Sequence, residues 1–346
     1  MMSQDDMNIN YLASQIEREV PRTYRDLLRT ANLSPEEIKA LHRARDGRAW
    51  LDFIAALATT AAVPVVYLSL PGVLTAAFCV LLTIHNFNCF AQVVHGAGHG
   101  KFLSNGRLND VVGGVAAALL GFALKGHALS HQIHHIRLNT EEDSDRIWGR
   151  PEQTTAELFG MWLQDLFMIS AIKRLLQYLQ SDRKSYSATP WRTFGPGFFL
   201  GKLGQLLPVA IVQATVIAYY WALVGPEFYI YFYVLPILTL YPAQIRLRTS
   251  CEHSFEAGYE PHTAEERWVS RSTRANLFER LVIAPLLIPH HFEHHLLPGV
   301  PYYNLRMTHE LLERKGLKVP QAPGYFGFIF NRWREERRLR QGAAAA

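Results

Sequence analysis

Cysteine is scarce: Cys79, Cys89 and Cys251 are the three in 346 residues, and no CxxC spacing occurs. That excludes a disulfide framework and a thiolate zinc site, and leaves the three as small buried hydrophobes. Charge is thin as well, at 19 % of residues against 49 % hydrophobic and 12 % aromatic. Repeats are absent and the terminal AAAA is the sole low-complexity tract, so a solenoid or a disordered chain is excluded. The first 45 residues are polar and charged, and no cleavable signal is expected. The net charge of +5 suits basic faces resting on anionic lipid, and no nucleic-acid partner is expected.

What the chain does have is long apolar runs. Residues 50–70 and 72–94 are split by Pro71-Gly72, and residues 198–224 and 227–245 by Gly225-Pro226. About twenty apolar residues cross a bilayer as a helix, so two hairpins of spanning helices are expected. Val111 to Leu124 is apolar but too short to span, and reads as a buried or re-entrant segment. The expected organisation is one integral-membrane domain over 1–346. It has a cytosolic segment 1–49, a first hairpin 50–94, a cap part 95–197, a second hairpin 198–247 and a second cap part 248–346.

Charge sets the expected orientation. The loops at Pro71 and Pro226 carry only Glu227, while the other segments hold almost every Lys and Arg. By the positive-inside rule these face the cytoplasm, which in a bacterium means the inner membrane. The tyrosines near 219–233 and Trp221 are expected as an aromatic belt on the far side. Residues 158–180 are amphipathic, suiting either an interfacial helix or a core helix of the cap. Residues 181–197 are expected as an exposed connector.

Histidine is abundant and clustered. HGAGH at 95–99, HQIHH at 131–135 and HFEHH at 291–295, with His127 and His290, take ten of the fifteen. On a helix, residues three and four apart share a face, so each cluster presents several imidazoles to one point. Gly96 and Gly98 are weak helix formers that instead permit close approach of another element. Clustered imidazoles repel when protonated, and a metal is the natural reason to keep them together. Eight or more histidines exceed what one ion uses, so two ions are the economical count. A nitrogen-rich, thiolate-poor set suits iron, zinc or copper. Glu293, Glu252, Asn139, Asp143 and Asp145 are candidates to orient the imidazoles. His42, His262 and His309 are expected as ordinary satisfied polar residues, and His85 as a hydrogen-bonded residue inside a span.

These three boxes around two membrane hairpins closely resemble the membrane fatty acid desaturase and hydroxylase superfamily. The likeness runs from about residue 50 to 318. It includes HHIRLNTEEDSD at 134–145, RTSCEHSFE at 248–256, TRANLFERLVIAP at 273–285 and HFEHHLLPGVPYYNL at 291–305. The resemblance implies an all-α membrane protein, with four transmembrane helices in two hairpins and a cytosolic helical cap holding a dimetal site. It further implies a non-haem diiron enzyme with two iron ions (Fe2+/Fe3+) and dioxygen as co-substrate. Carried over box by box, the catalytic metal ligands are His95, His99, His131, His134, His135, His291, His294 and His295. His253 matches a further metal ligand; His127 and His290 fall outside the boxes, as lining residues. Asn276 is a candidate for the asparagine that relatives place near the metals.

The implied activity is desaturation of a fatty acyl or similar lipid chain. The alternative is hydroxylation or ketolation of a carotenoid, alkyl or unusual small substrate by the same centre. No HPGG haem-binding segment is present, so a separate ferredoxin- or cytochrome-type donor with its reductase is expected. The basic residues Arg332, Arg334, Arg337, Arg338 and Arg340 suit an acidic donor or anionic lipid equally. A transporter or haem carrier would instead place histidines at mid-span depth, where His85 alone falls. The oligomeric state is not legible.

Overall fold

The computed structural model describes residues 22–173, 196–259, 262–263 and 265–345. Among them helices dominate and strands are almost absent. The short helices α1 (Arg22–Ala31) and α2 (Pro35–Leu41) lead into the hairpin of α3 (Asp46–Ser69) and α4 (Val73–Gly98). Then come α5 (Gly106–Leu119), α6 (Leu124–Ile136) and α7 (Thr155–Leu166). The second hairpin is α8 (Pro196–Leu223) and the run α9 (Pro226–His253). The chain ends with α10 (Leu277–Val282), α11 (His291–Leu296), α12 (Leu305–Arg314) and α13 (Tyr325–Ala345).

Four stretches are long and apolar enough to cross a membrane: Pro35–Ser69, Val73–Gly98, Leu206–Leu223 and Pro226–His253. Only 6 % of Leu206–Leu223 is buried by protein, and Leu74, Phe78, Ile211 and Trp221 lie exposed. A soluble monomer rarely leaves so much contiguous apolar surface open; lipid covers it here. The expected belt is only partly outward. Trp221 and Tyr231 are exposed, but Tyr220 and Tyr233 are core residues, packed with Tyr229 at ring separations of 5.9 and 5.3 Å.

The run α9 is not a regular helix. A π-turn at Ile230–Val234 precedes Pro236, and Thr239 leaves helical geometry before Pro242. Each proline lacks the N–H for its i−4 bond and crowds that carbonyl, which is where such irregularities arise.

The apolar Val111–Leu124 stretch forms most of α5, which meets α6 at 93° through Gly121 in the left-handed region. The end of α5 is buried, so its last carbonyls need partners. Gln213 donates to the Ala118 carbonyl at 2.7 Å, and Tyr233 donates to that of Leu119. The second hairpin thereby caps the helix lying behind the first.

Helices α4 and α5 cross very closely. A Cβ added at Gly113 would lie 2.4 Å from that of Ala97, which sits between His95 and His99. Gly96 and Gly98 do lie within helix, and they face Phe102 and Ala128 so that an added Cβ would come to 3.4 Å. Of the 158–180 segment, α7 packs as a cap core helix. Trp162 donates to the Ala243 carbonyl at 3.1 Å, and buried Asp165 pairs with Arg246 at 2.5 and 3.1 Å. Residues 174–195, including most of the expected 181–197 connector, lie outside the described residues; its last two, Pro196 and Gly197, open α8. A two-residue parallel pairing, Ser272–Thr273 with Gln321–Ala322, ties the segment before α11 to the C-terminal part.

Candidate metal centre

Four helix ends deliver the histidines. His95 and His99 close α4; His131, His134 and His135 lie on the last turns of α6; His253 is the final residue of α9. His291, His294 and His295 occupy one side of α11, whose Phe292 and Leu296 pack the other way beside Leu312. A helix of six residues is marginal alone and is held by that packing. Just before it, Leu286 and Leu287 both take positive φ, 53° and 63°. Each such residue costs on the order of 1–3 kcal/mol and persists only where surroundings enforce it.

The nine histidines expected as ligands come together in two groups. His95, His99, His131, His135 and His294 form one; His134, His253, His291 and His295 form the other. Within each, the candidate ligand atoms all lie within 4.8 Å of one another. His294 Nε2 is the hub of the first, 2.7 Å from His95 Nε2 and 2.9 Å from His135 Nε2. In the second, His291 Nε2 lies 2.7 Å from His253 Nε2 and 3.0 Å from His295 Nε2. The groups abut where the His135 and His295 rings stand 4.4 Å apart.

This donor set fits metal ions. A neutral imidazole has a single N–H, so so many converging nitrogens cannot all satisfy one another. His99 Nε2 is buried with no hydrogen-bond partner. A cation at each focus gives those lone pairs what neighbouring imidazoles cannot.

The outer contacts turn ligand nitrogens inward. His134 Nδ1 lies 2.9 Å from Asp143 Oδ1, and His253 Nδ1 lies 3.0 Å from the Val269 carbonyl. Both contacts set the tautomer that leaves Nε2 free. Buried Asp143 also accepts from the backbone N–H groups of Asn139 and Asp145, each at 2.8 Å. Asn139 takes a left-handed φ of 60°, which asparagine tolerates, and donates to the Arg267 carbonyl at 2.7 Å. Glu252 lies 3.6 Å from His291 Nδ1.

Electrostatics agree. Burial, then neighbouring imidazoles, hold His131, His135, His291, His294 and His295 well below the ordinary histidine range. Burial holds His99 at about 4. Burial also opposes charge on His134, but Asp145 and Asp143 outweigh it and lift the group to about 9. Asp143 and Asp145 beside the second group supply negative charge that favours a cation there.

A family model described as fatty acid desaturase matches residues 68–322. The chain belongs to the fatty acid desaturase family. No curated protein matches it. With four helices of spanning length and composition, this desaturase-family chain is a membrane protein.

Several expectations change on contact with the structure. Glu293 does not orient the clustered imidazoles. It faces the other way, hydrogen-bonded to Ser272 and His309, with His290 Nδ1 at 3.8 Å. His290, Glu293 and His309 thus form a third group, while His290 also lines the cleft beside His95, His291 and His294. Asn276 caps α10, its side chain accepting from Glu279 N at 3.0 Å. His127 lines the site, stacked on His131 at 5.9 Å and 4°. His85 lies 2.5 Å from the Leu281 carbonyl, as a satisfied residue within a span. Arg332 is not a docking residue, since it is buried and donates to the carbonyls of Phe255 and Gln153. Arg337 stays at the surface, stacked over Trp333 at 5.0 Å.

Two site residues escaped the sequence analysis. Gln92 and Arg248 line a cleft with His95, His291 and His294. A signal existed for both: Gln92 sits three residues before His95, on the same helix face, and Arg248 lies within the RTSCEH stretch.

Proposed function

We propose that the chain is a dioxygen-dependent desaturase that introduces a double bond into a fatty acyl or similar lipid chain at two iron ions. The observation that carries this is the convergence of nine histidines into two adjoining buried groups within a desaturase-family chain. His95, His99, His131, His135 and His294 would hold one ion, and His134, His253, His291 and His295 the other. Iron supplies what side chains lack, the capacity to activate dioxygen for removing hydrogen from an unactivated C–H bond.

The protein's part is positional. Asp143 and the Val269 carbonyl hold His134 and His253 in the tautomer that presents Nε2. Burial keeps most of the cluster neutral and its lone pairs available. Helices α4, α5, α6 and α11 exclude water from the site. The substrate would approach along the clefts lined by His95 and His294, so that one carbon is presented to the oxidising centre. Electrons come from a separate ferredoxin- or cytochrome-type donor. The basic residues flanking the spans support a cytoplasmic orientation of the site.

Mass spectrometry of lipids and pigments tests this in cells expressing the protein with a reductase partner, against the His134→Ala variant. Species lighter by two hydrogens are expected with the parent chain only. Species gaining an oxygen would move the enzyme to hydroxylation or ketolation. Identical profiles from parent and variant would overturn the proposal.

A further inference from the structure

The cleft that touches both histidine groups is not walled like a slot for hydrocarbon. His95 and His294 of one group line it with His291 of the other. Its apolar lining is only Ile288 and Leu305, and Gln92 and Arg248 face them. The Arg248 side chain is 16 % exposed, and its Nε is buried with no hydrogen-bond partner. The nearest carboxylate, Glu252, lies 3.6 Å from Nε, beyond hydrogen-bond range. That carboxylate is already engaged, accepting from Tyr325 at 3.2 Å and facing His291 Nδ1 at 3.6 Å.

Arg246, two residues earlier on the same run, shows what a satisfied guanidinium looks like here. It makes a two-pronged contact to Asp165 and donates to the Trp148 carbonyl at 2.8 Å. Arg248 has no such set. Gln92 is buried as well, and its amide has no hydrogen bond among the described residues. Arg248 is left with one loose ion pair to Glu252, and a buried donor without an acceptor in range calls for a ligand or a role.

We propose that this cleft receives a carboxylate of the substrate on Arg248, with the Gln92 amide beside it. The inference rests on the reading of the histidine groups as the oxidising centre. A guanidinium fork grips a carboxylate in one plane and so fixes direction as well as position. The carbons presented to the histidine groups are then those near the acid end. A short acid, or the acid end of a longer chain, presents such a carboxylate.

Calorimetry on the iron-loaded protein in nanodiscs tests this, with hexanoate, decanoate and hexan-1-ol as probes. Hexanoate should bind at least ~10-fold more tightly than hexan-1-ol, the scale of a charge-assisted hydrogen bond. Arg248→Gln should erase that preference and Arg248→Lys retain part of it, with iron content unchanged. Decanoate binding as hexanoate does would identify the acid end of a chain; rejection of decanoate would identify a short acid. Equal binding of acid and alcohol to the parent protein would overturn the inference without any variant. So would a preference that survives Arg248→Gln, since the carboxylate would then sit on the iron itself. A parent protein that binds no iron would sink the underlying diiron reading instead, and iron content is measured first.

Discussion

His95 Nε2 and His294 Nε2 lie 2.7 Å apart across 199 residues of sequence. One closes a membrane-spanning helix and the other rides a short helix held by cap packing. Two ring nitrogens so placed, with His135 Nε2 2.9 Å from the same atom, make His294 the hub of its group. Replacing His294 with Ala should abolish turnover and lower bound iron by about one ion per chain, given the usual ligand requirement of such sites. Elemental analysis beside circular dichroism checks this; full iron content with unchanged helicity would refute the assignment.

Asp143 and Glu293 should part company. Asp143→Asn removes the carboxylate facing His134 Nδ1 and should cost roughly 10- to 100-fold in metal affinity or activity. Glu293→Gln breaks contacts to His309 and Ser272 away from the clusters. It should lower thermal stability, by about 1–3 kcal/mol for a buried polar group left short of a partner, with iron binding retained. Metal titrations of both variants, run with melting curves, read the difference.

Stability should carry a component from His309. The Glu293 hydrogen bond, partly opposed by burial, raises this histidine above its ordinary 6.5. A raised folded-state value means the contribution is fully present below 6.5 and is lost as pH rises through the higher folded value. The melting-temperature gap between the parent protein and His309→Gln should therefore shrink as pH climbs above neutrality. A gap constant from pH 6 to 9 would remove this pair from the account.

Gly113→Ala tests the helix crossing behind the site. The new Cβ would fall 2.4 Å from that of Ala97, forcing α4 and α5 apart. Overpacking of this kind costs about 1–3 kcal/mol. Because Ala97 lies between His95 and His99, loss of iron should accompany the loss of stability. Gly114→Ala, with open space around its position, should leave iron content unchanged.

Much of this protein is legible in one dimension. The apolar runs mark the spanning helices because crossing a bilayer imposes length and hydrophobicity on contiguous residues. The histidine spacing marks the boxes because three- and four-residue steps return to one helix face. Long-range contact has no such local signature. Nothing in HFEHH distinguishes Glu293 from the histidines around it. The fold turns Glu293 toward Ser272 and His309, and the histidines toward α4, α6 and α9. Arg246 and Arg248 likewise look alike in sequence, yet one is paired with Asp165 and the other faces the cleft. The partition of nine histidines into five and four was also decided only by tertiary structure. His134 and His135 are neighbours in sequence but fall in different groups. Adjacent residues on a helix point about 100° apart, and which focus each meets depends on the helices packed around them.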